Sequence, residues 1–276
     1  MALGLAEYKA RKAAEDARRE QAGKPRTQRL ALEKDGDSAI VRFAQEMDYD
    51  GKNYDEKAGI GFVNVEHTCG ADPKNGWKNR ANCSIDTQGA CYACERVGDY
   101  AVEWNDRKGW KQKEKFYINL VGGEPREVTK TENGKERKVY FTTDIDRKTG
   151  DGTVYLLEQS THNGIYDQLA DYFLEEEVSG GTITDKFFKI SRKGSGFNDT
   201  QYSVTPLKEI PADAKALSEF ELYDVKEDVL VEVPFAQQEA FYFKGVAGVS
   251  DVAGAPAVST PASAPAGSAT GTAEGW

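Results

Sequence analysis

Cysteine placement limits what this chain can fold into more than any other feature. Cys69, Cys83, Cys91 and Cys94 are its only cysteines among 276 residues, spaced C-x13-C-x7-C-x2-C, with His67 two residues before the first. A closing C-x2-C forms a knuckle that aims two thiolates at one metal, while the preceding loop returns the other ligands. The spacing predicts one structural zinc ion, Zn2+, held by Cys69, Cys83, Cys91 and Cys94, with His67 as the alternative to Cys69. Residues 66–96 hold few apolar side chains, so binding the metal and ordering the segment are expected to be one event. Two disulfides would need an oxidising compartment, which a chain opening without a leader does not suggest, and a redox pair would need a βαβ setting that the sequence lacks. Lys74, Lys78, Arg80 and Arg96 stand near enough in sequence to offset the charge of four thiolates.

Four protein ligands close the metal's coordination shell, which leaves no open position for catalysis. The chain also lacks a P-loop and a G-x-S-x-G elbow, and its two histidines, His67 and His162, leave little for histidine-based acid–base work. It therefore reads as a binding protein and not an enzyme. No run approaches the roughly 18 apolar residues of a membrane-spanning helix, and no membrane partner is expected.

Charge is distributed unevenly. The net charge is -10, yet residues 1–34 hold nine basic and five acidic side chains, and residues 104–148 hold twelve and eight. Residues 199–276 hold four basic and twelve acidic side chains. A chain so divided attracts a polyanion at one face and repels it at another.

The sequence divides into four parts. Residues 1–34 form a basic helical arm, with an alanine stripe over Leu5 to Gln21 and Glu7–Arg11 and Glu15–Arg19 pairs one turn apart. Residues 35–210 carry strand-like runs at Ser38–Phe43, Gly59–Val65, Ala101–Trp104, Lys115–Val121, Glu127–Glu132, Lys138–Thr143 and Thr153–Glu158, with a hairpin signal at Asn133-Gly134. A helix follows, with Ile165, Leu169, Tyr172 and Phe173 on one face, and then a second hairpin over Thr182–Ser191 and Thr200–Thr205. Strands, one helix and two more strands is the order of an OB-fold barrel, here mainly β with some α and with the zinc subdomain at 66–96 inserted. Residues 211–244 make an acidic C-terminal helix/strand segment, with Ser218 and Glu221 as a capping box before a short helix at about 219–230. Residues 245–276, rich in Ala, Gly, Ser, Thr and Pro, are expected to be a disordered tail.

Directly after the zinc segment, Trp104 to Tyr117 interleaves rings with cations. Binders of single strands pair flat rings for stacking with Lys and Arg for counterion release. The pattern nominates Trp104, Trp110 and Tyr117 to stack on bases, with Trp77 in second rank. Arg42, Arg107, Lys108, Lys111 and Lys113 are nominated to meet phosphates.

Taken together, the zinc spacing, the basic N-terminal arm, and the phrases Asp35 to Phe43 and Lys193 to Tyr202 resemble the tailed-phage single-stranded DNA-binding, or helix-destabilising, proteins. The likeness spans roughly residues 5–240. It implies cooperative, sequence-independent coating of single-stranded DNA during phage replication, recombination and repair, in the cytoplasm of the bacterial host. It also implies self-association along DNA through the arm, Leu5 to Arg29, and recruitment of replisome proteins through an acidic C-terminal region. Zinc ligands carry over as Cys69, Cys83, Cys91 and Cys94; in the family the first is commonly histidine, and His67 stands close by. Two other classes remain open: a zinc-ribbon subunit of a replication enzyme, primase-like or nuclease-like, and a zinc-stabilised phage structural protein.

Overall fold

β-Branched and aromatic residues at alternate positions make strands, and when residues of both parities are apolar, both faces of the strand must be covered. The run Phe116 to Val121 is of this kind. The computed structural model describes residues 27–72, 77–132, 135–179, 182–194 and 199–244, leaving aside the side chains at 69–72, 77–78, 128, 130–132, 135–140, 163, 176–179 and 243–244. In chain order the strands and helices are β1 (Ser38–Phe43), β2 (Phe62–Asp72), β3 (Trp77–Asn82), α1 (Ile85–Gln88), α2 (Tyr92–Gly98), α3 (Trp104–Arg107) and β4 (Gln112–Gly122). They continue with β5 (Arg126–Glu132), β6 (Lys135–Phe141), β7 (Thr153–Ser160), α4 (Ile165–Ser179), β8 (Lys186–Lys193), β9 (Gln201–Glu209) and α5 (Phe235–Lys244).

β4 organises the sheet. Its first half pairs antiparallel with β2, from Phe62 opposite Tyr117 to His67 opposite Gln112. Its far end pairs with β1 at Arg42–Val121 and Phe43–Leu120, and its other edge pairs with β7 from Lys115 to Gly122. The full order is β3-β2-β4-β1-β8-β9 with β7 on β4, and β5 and β6 pair only with each other. One face of β4 sends Phe116, Ile118 and Leu120 into a core shared with Val41, Phe43, Phe188, and Ile165 and Leu169 of α4. Its other face packs Tyr117 with Leu156, Val225 and Val229. Each large apolar side chain so buried contributes roughly 1.5–3 kcal/mol. The start of β4, from Gln112 through Glu114, is exposed.

The sheet is mainly antiparallel and open. The expected order of strand, helix and hairpin is present in β7, α4, β8 and β9, but the described ladders include no pair that joins β9 back to β7. The free edge of β7 is met instead by residues 28–30, where Leu30 N–H donates to Leu156 O at 3.1 Å and Leu156 N–H donates to Gln28 O at 2.8 Å.

Three sequence expectations change. Ala101–Trp104 is not a strand, because Trp104 begins the one-turn helix α3. The helix expected near 219–230 is a 3-10 turn at Leu217–Glu219 and a π-helical turn at Val225–Val229, the latter capped by the Asp224 carboxylate accepting from Lys226 N–H and Glu227 N–H at 3.0 and 3.2 Å. Val225 and Val229 cover β4, so packing and not helical period decided this segment. Beyond it α5 forms where no helix was expected. The arm before residue 27, the tail from 245, Asn133-Gly134 and Ser195-Gly196 lie outside the described residues.

Candidate metal centre and the surface beside it

β2 brings in His67, and β3 ends just before Cys83, whose N–H donates to Val65 O at 2.9 Å. After α1 the chain must turn back sharply, and Gly89 does this at φ +71, its N–H donating to Ile85 O at 2.9 Å. That left-handed conformation favours glycine. Cys91 then sits extended as the N-cap of α2, and Cys94 follows three residues on along the same side of the first turn.

Together these elements gather one nitrogen and three sulfurs. The ligand atoms of His67, Cys83, Cys91 and Cys94 all lie within 4.8 Å of one another, close enough to hold one metal ion. Cys94 Sγ lies 3.6 Å from Cys83 Sγ and 3.4 Å from His67 Nε2. His67 Nδ1 lies 2.7 Å from Trp110 O. A carbonyl only accepts, so Nδ1 carries the proton, and in the neutral ring the Nε2 lone pair faces the thiols. Burial by itself disfavours an imidazolium at His67, but hydrogen bonds with Cys91 and Cys83 outweigh it and raise its pKa to about 9. Burial also opposes ionisation of Cys91, yet His67 and the backbone at Ser84 and Cys94 lower its thiol to about 5. Cys94 is raised instead, by burial and by the neighbouring thiols. The pocket therefore favours a thiolate at Cys91, the form that ligates metals.

The structure brings in the alternative first ligand, His67. The Cys69 backbone continues β2 opposite Asn79, while its side chain lies outside the described set. Of the cations expected to offset the thiolates, Lys74 and the side chain of Lys78 lie outside the described set. Arg80 is engaged by Glu158 and, at 3.5 Å, by Glu66, so it does not face the thiolates. Gln112 Nε2 faces them, donating to Cys83 Sγ and Cys94 Sγ at 3.3 and 3.5 Å.

α5 closes the centre from outside. Gln238, fully buried, accepts from Tyr92 N–H at 2.8 Å and donates to Ser84 Oγ and Val233 O at 2.7 and 2.9 Å. Phe241 and Tyr242 pack with Ala81, Ala93 and Trp110 around Cys91. Nothing in the spacing of Gln112 or Gln238 pointed to these roles, since both depend on contacts distant in sequence.

Three of the nominated nucleic-acid contacts are corrected by burial. Trp110 is enclosed, its ring 5.3 Å from Tyr242 and 6.0 Å from Tyr92 between centroids, because α5 covers what the lysines around it suggested was surface. Tyr117 is fully buried in β4, its hydroxyl donating to Glu66 Oε2 at 2.9 Å, and burial raises its pKa. Arg42 is buried in β1, with Nη1 donating to Lys215 O at 2.7 Å. None of the three presents the face or charge that a bound strand would need. Trp77 lies outside the described side chains.

Other nominees gather on one exposed surface. Trp104 is 44% exposed, Lys108 one turn on and Lys111 are exposed beside it, and Lys113 is exposed in β4 opposite Glu66. Lys111 Nζ sits 4.8 Å from the Trp104 ring centroid and Arg107 Cζ 5.1 Å. Arg107 Cζ is also 4.4 Å from the ring of Tyr100, a residue the sequence reading passed over although its spacing to Trp104 and Arg107 is i, i+4, i+7. This surface is tied to the metal centre, since Arg107 Nη1 donates to Val97 O at 2.9 Å in α2, the helix that carries Cys94.

No protein-family model matches the chain, and no curated protein matches it. Among the described residues no helix is long and apolar enough to cross a membrane.

Proposed function

We propose that this chain binds single-stranded nucleic acid, single-stranded DNA by its resemblance to the phage helix-destabilising proteins, and that zinc braces the binding surface. The carrying observation is the exposed group of Trp104, Lys108 and Lys111, tied through Arg107 to α2, the helix that carries Cys94. Rings stack on unpaired bases, while lysines release counterions from phosphates.

Zinc fits the donor set. Tetrahedral bonds of about 2.3 Å to sulfur and about 2.0 Å to nitrogen set neighbouring ligand atoms roughly 3.5–3.8 Å apart. The separations of 3.6 Å for Cys83–Cys94 and 3.4 Å for Cys94–His67 agree with that spacing. Three thiolates and one imidazole leave no protein-free position, as in a structural site. Its role is to hold β2, Cys83 and α2 together, and no chemistry on a substrate follows from it. The β7–α4–β8–β9 order supports an OB-type core, and an arm that joins neighbours along the strand, with an acidic segment that recruits partners, belongs to the same reading.

The test is a fluorescence titration of the full chain with oligo-dT and with duplex DNA at two salt concentrations. Quenching by oligo-dT, binding that falls steeply with salt, and weaker duplex binding are expected. Trp104→Ala should lose about 5- to 150-fold in affinity for the single strand. Salt-independent affinity, or equal affinity for duplex, would overturn the proposal.

A further inference from the structure

Among the described residues Tyr100 is the most exposed large hydrophobic side chain, at 84%. It lies in the turn between α2 and α3. Arg107 reaches both it and Trp104, its Cζ 4.4 and 5.1 Å from the two ring centroids. Two of the three guanidinium nitrogens are committed or shielded, because Nη1 donates to Val97 O at 2.9 Å and Nε is buried without a hydrogen-bond partner. A planar cation in contact with two rings restrains both by cation–π attraction. Two rings and Val97 O restrain Arg107 at once, whereas Lys111, its Nζ 4.8 Å from the Trp104 ring, and Lys108, its Nζ donating to Asn105 Oδ1 at 3.0 Å, are exposed residues whose side chains can swing out to a phosphate.

We propose that Tyr100 and Trp104 form a two-ring stacking platform for unpaired bases, and that Arg107 is the positioning residue that holds the rings, with the phosphate contacts left to Lys108 and Lys111. This rests on the nucleic-acid reading above and assigns roles within it. The ligand is a strand whose base faces are free, because in a duplex each base face is covered by its neighbours in the stack. Tyr100 therefore contributes through its ring and not its hydroxyl. Arg107 contributes to base stacking and not to counterion release.

The experiment compares oligo-dT with a base-free deoxyribose-phosphate strand of equal length. Both are titrated into the full chain and into Tyr100→Ser, Tyr100→Phe and Arg107→Gln. Tyr100→Ser should bind oligo-dT about 5- to 150-fold more weakly and the base-free strand unchanged, while Tyr100→Phe restores binding. Arg107→Gln should weaken oligo-dT binding without changing its salt slope. Because Tyr100 is so exposed, the melting temperature of Tyr100→Ser should match that of the unaltered chain, which excludes misfolding as the cause.

Equal losses on both strands, or a salt slope that falls by about 0.7 in Arg107→Gln as for one lost phosphate contact, would overturn the assignment. So would unaltered binding by Tyr100→Ser when the parent chain binds oligo-dT in a salt-dependent way, and in that case the nucleic-acid reading survives. A parent chain that binds neither strand overturns both.

Discussion

The centre of the sheet and the metal region are held together in different ways. Around β4, Phe116, Ile118 and Leu120 bury themselves against strands on both edges and against α4, and the order there comes from apolar area. Around Cys83, Cys91 and Cys94 the helices α1 and α2 are four and seven residues long and bury only Ala93 between them. Such short helices are not stable in isolation. Their order comes from ligand atoms, from Gln238, and from the small aromatic group that α5 supplies. One region is thus built from apolar area, whereas the other gathers four side chains close enough to hold a metal ion. The exposed platform at Tyr100 and Trp104 is fastened to the second.

Metal removal should separate the two regions most sharply. Structural zinc in small domains supplies roughly 10–16 kcal/mol. Elemental analysis is expected to find one equivalent, and after chelation hydrogen exchange should speed up across residues 83–98 while β4 and β7 stay protected. Loss of protection in both regions together would break the distinction. Cys91→Ser should reproduce the local effect and reduce metal content.

The reverse experiment acts on the sheet. Leu120→Ala empties a fully buried site and should cost about 2–5 kcal/mol in thermal or urea unfolding, with the metal content of the folded protein unchanged. A variant that also lost its metal would show the regions to be one cooperative unit.

A smaller effect is expected at the joint between α5 and the metal loops. Gln238→Ala leaves the Tyr92 N–H without its partner and should destabilise the metal region by about 1–3 kcal/mol, seen as faster metal release to a chelator. An unchanged release rate would mean that α5 packs against a region already fixed by its ligands.

The smallest effect is one of pH, within the sheet region. Glu46 is buried, and burial raises its pKa even though Thr182 and Thr184 donate to Oε1 and oppose the rise. A carboxyl raised on folding supports stability below its unfolded pKa and loses that support as pH rises through the folded value. Stability should therefore decline as pH rises above the ordinary carboxylate range by this one contribution, and Glu46→Gln should flatten that part of the curve in urea titrations.

What could be read in advance follows from local chemistry. Strand-like runs bounded by turn residues marked β1, β4 and β7, and the i, i+4, i+7 spacing marked α4. The Cys91-x2-Cys94 knuckle needs only one helical turn to place two sulfurs side by side, so its role as a ligand pair was legible, as was the cationic run around Trp104.

Contacts distant in sequence decided the rest. Trp110 among lysines reads as surface until α5 covers it, and Tyr117 and Arg42 read as available until β4 and β1 are enclosed on both faces. The succession of β7, α4, β8 and β9 was legible, but closure into a barrel depends on edge pairing, and β7 gives that edge to residues 28–30. His67 and Cys69 share a strand two positions apart, so spacing alone cannot separate them. Sequence periodicity reports which side chains share a face, whereas burial and ligation depend on which other segment arrives there, and only the folded chain specifies that.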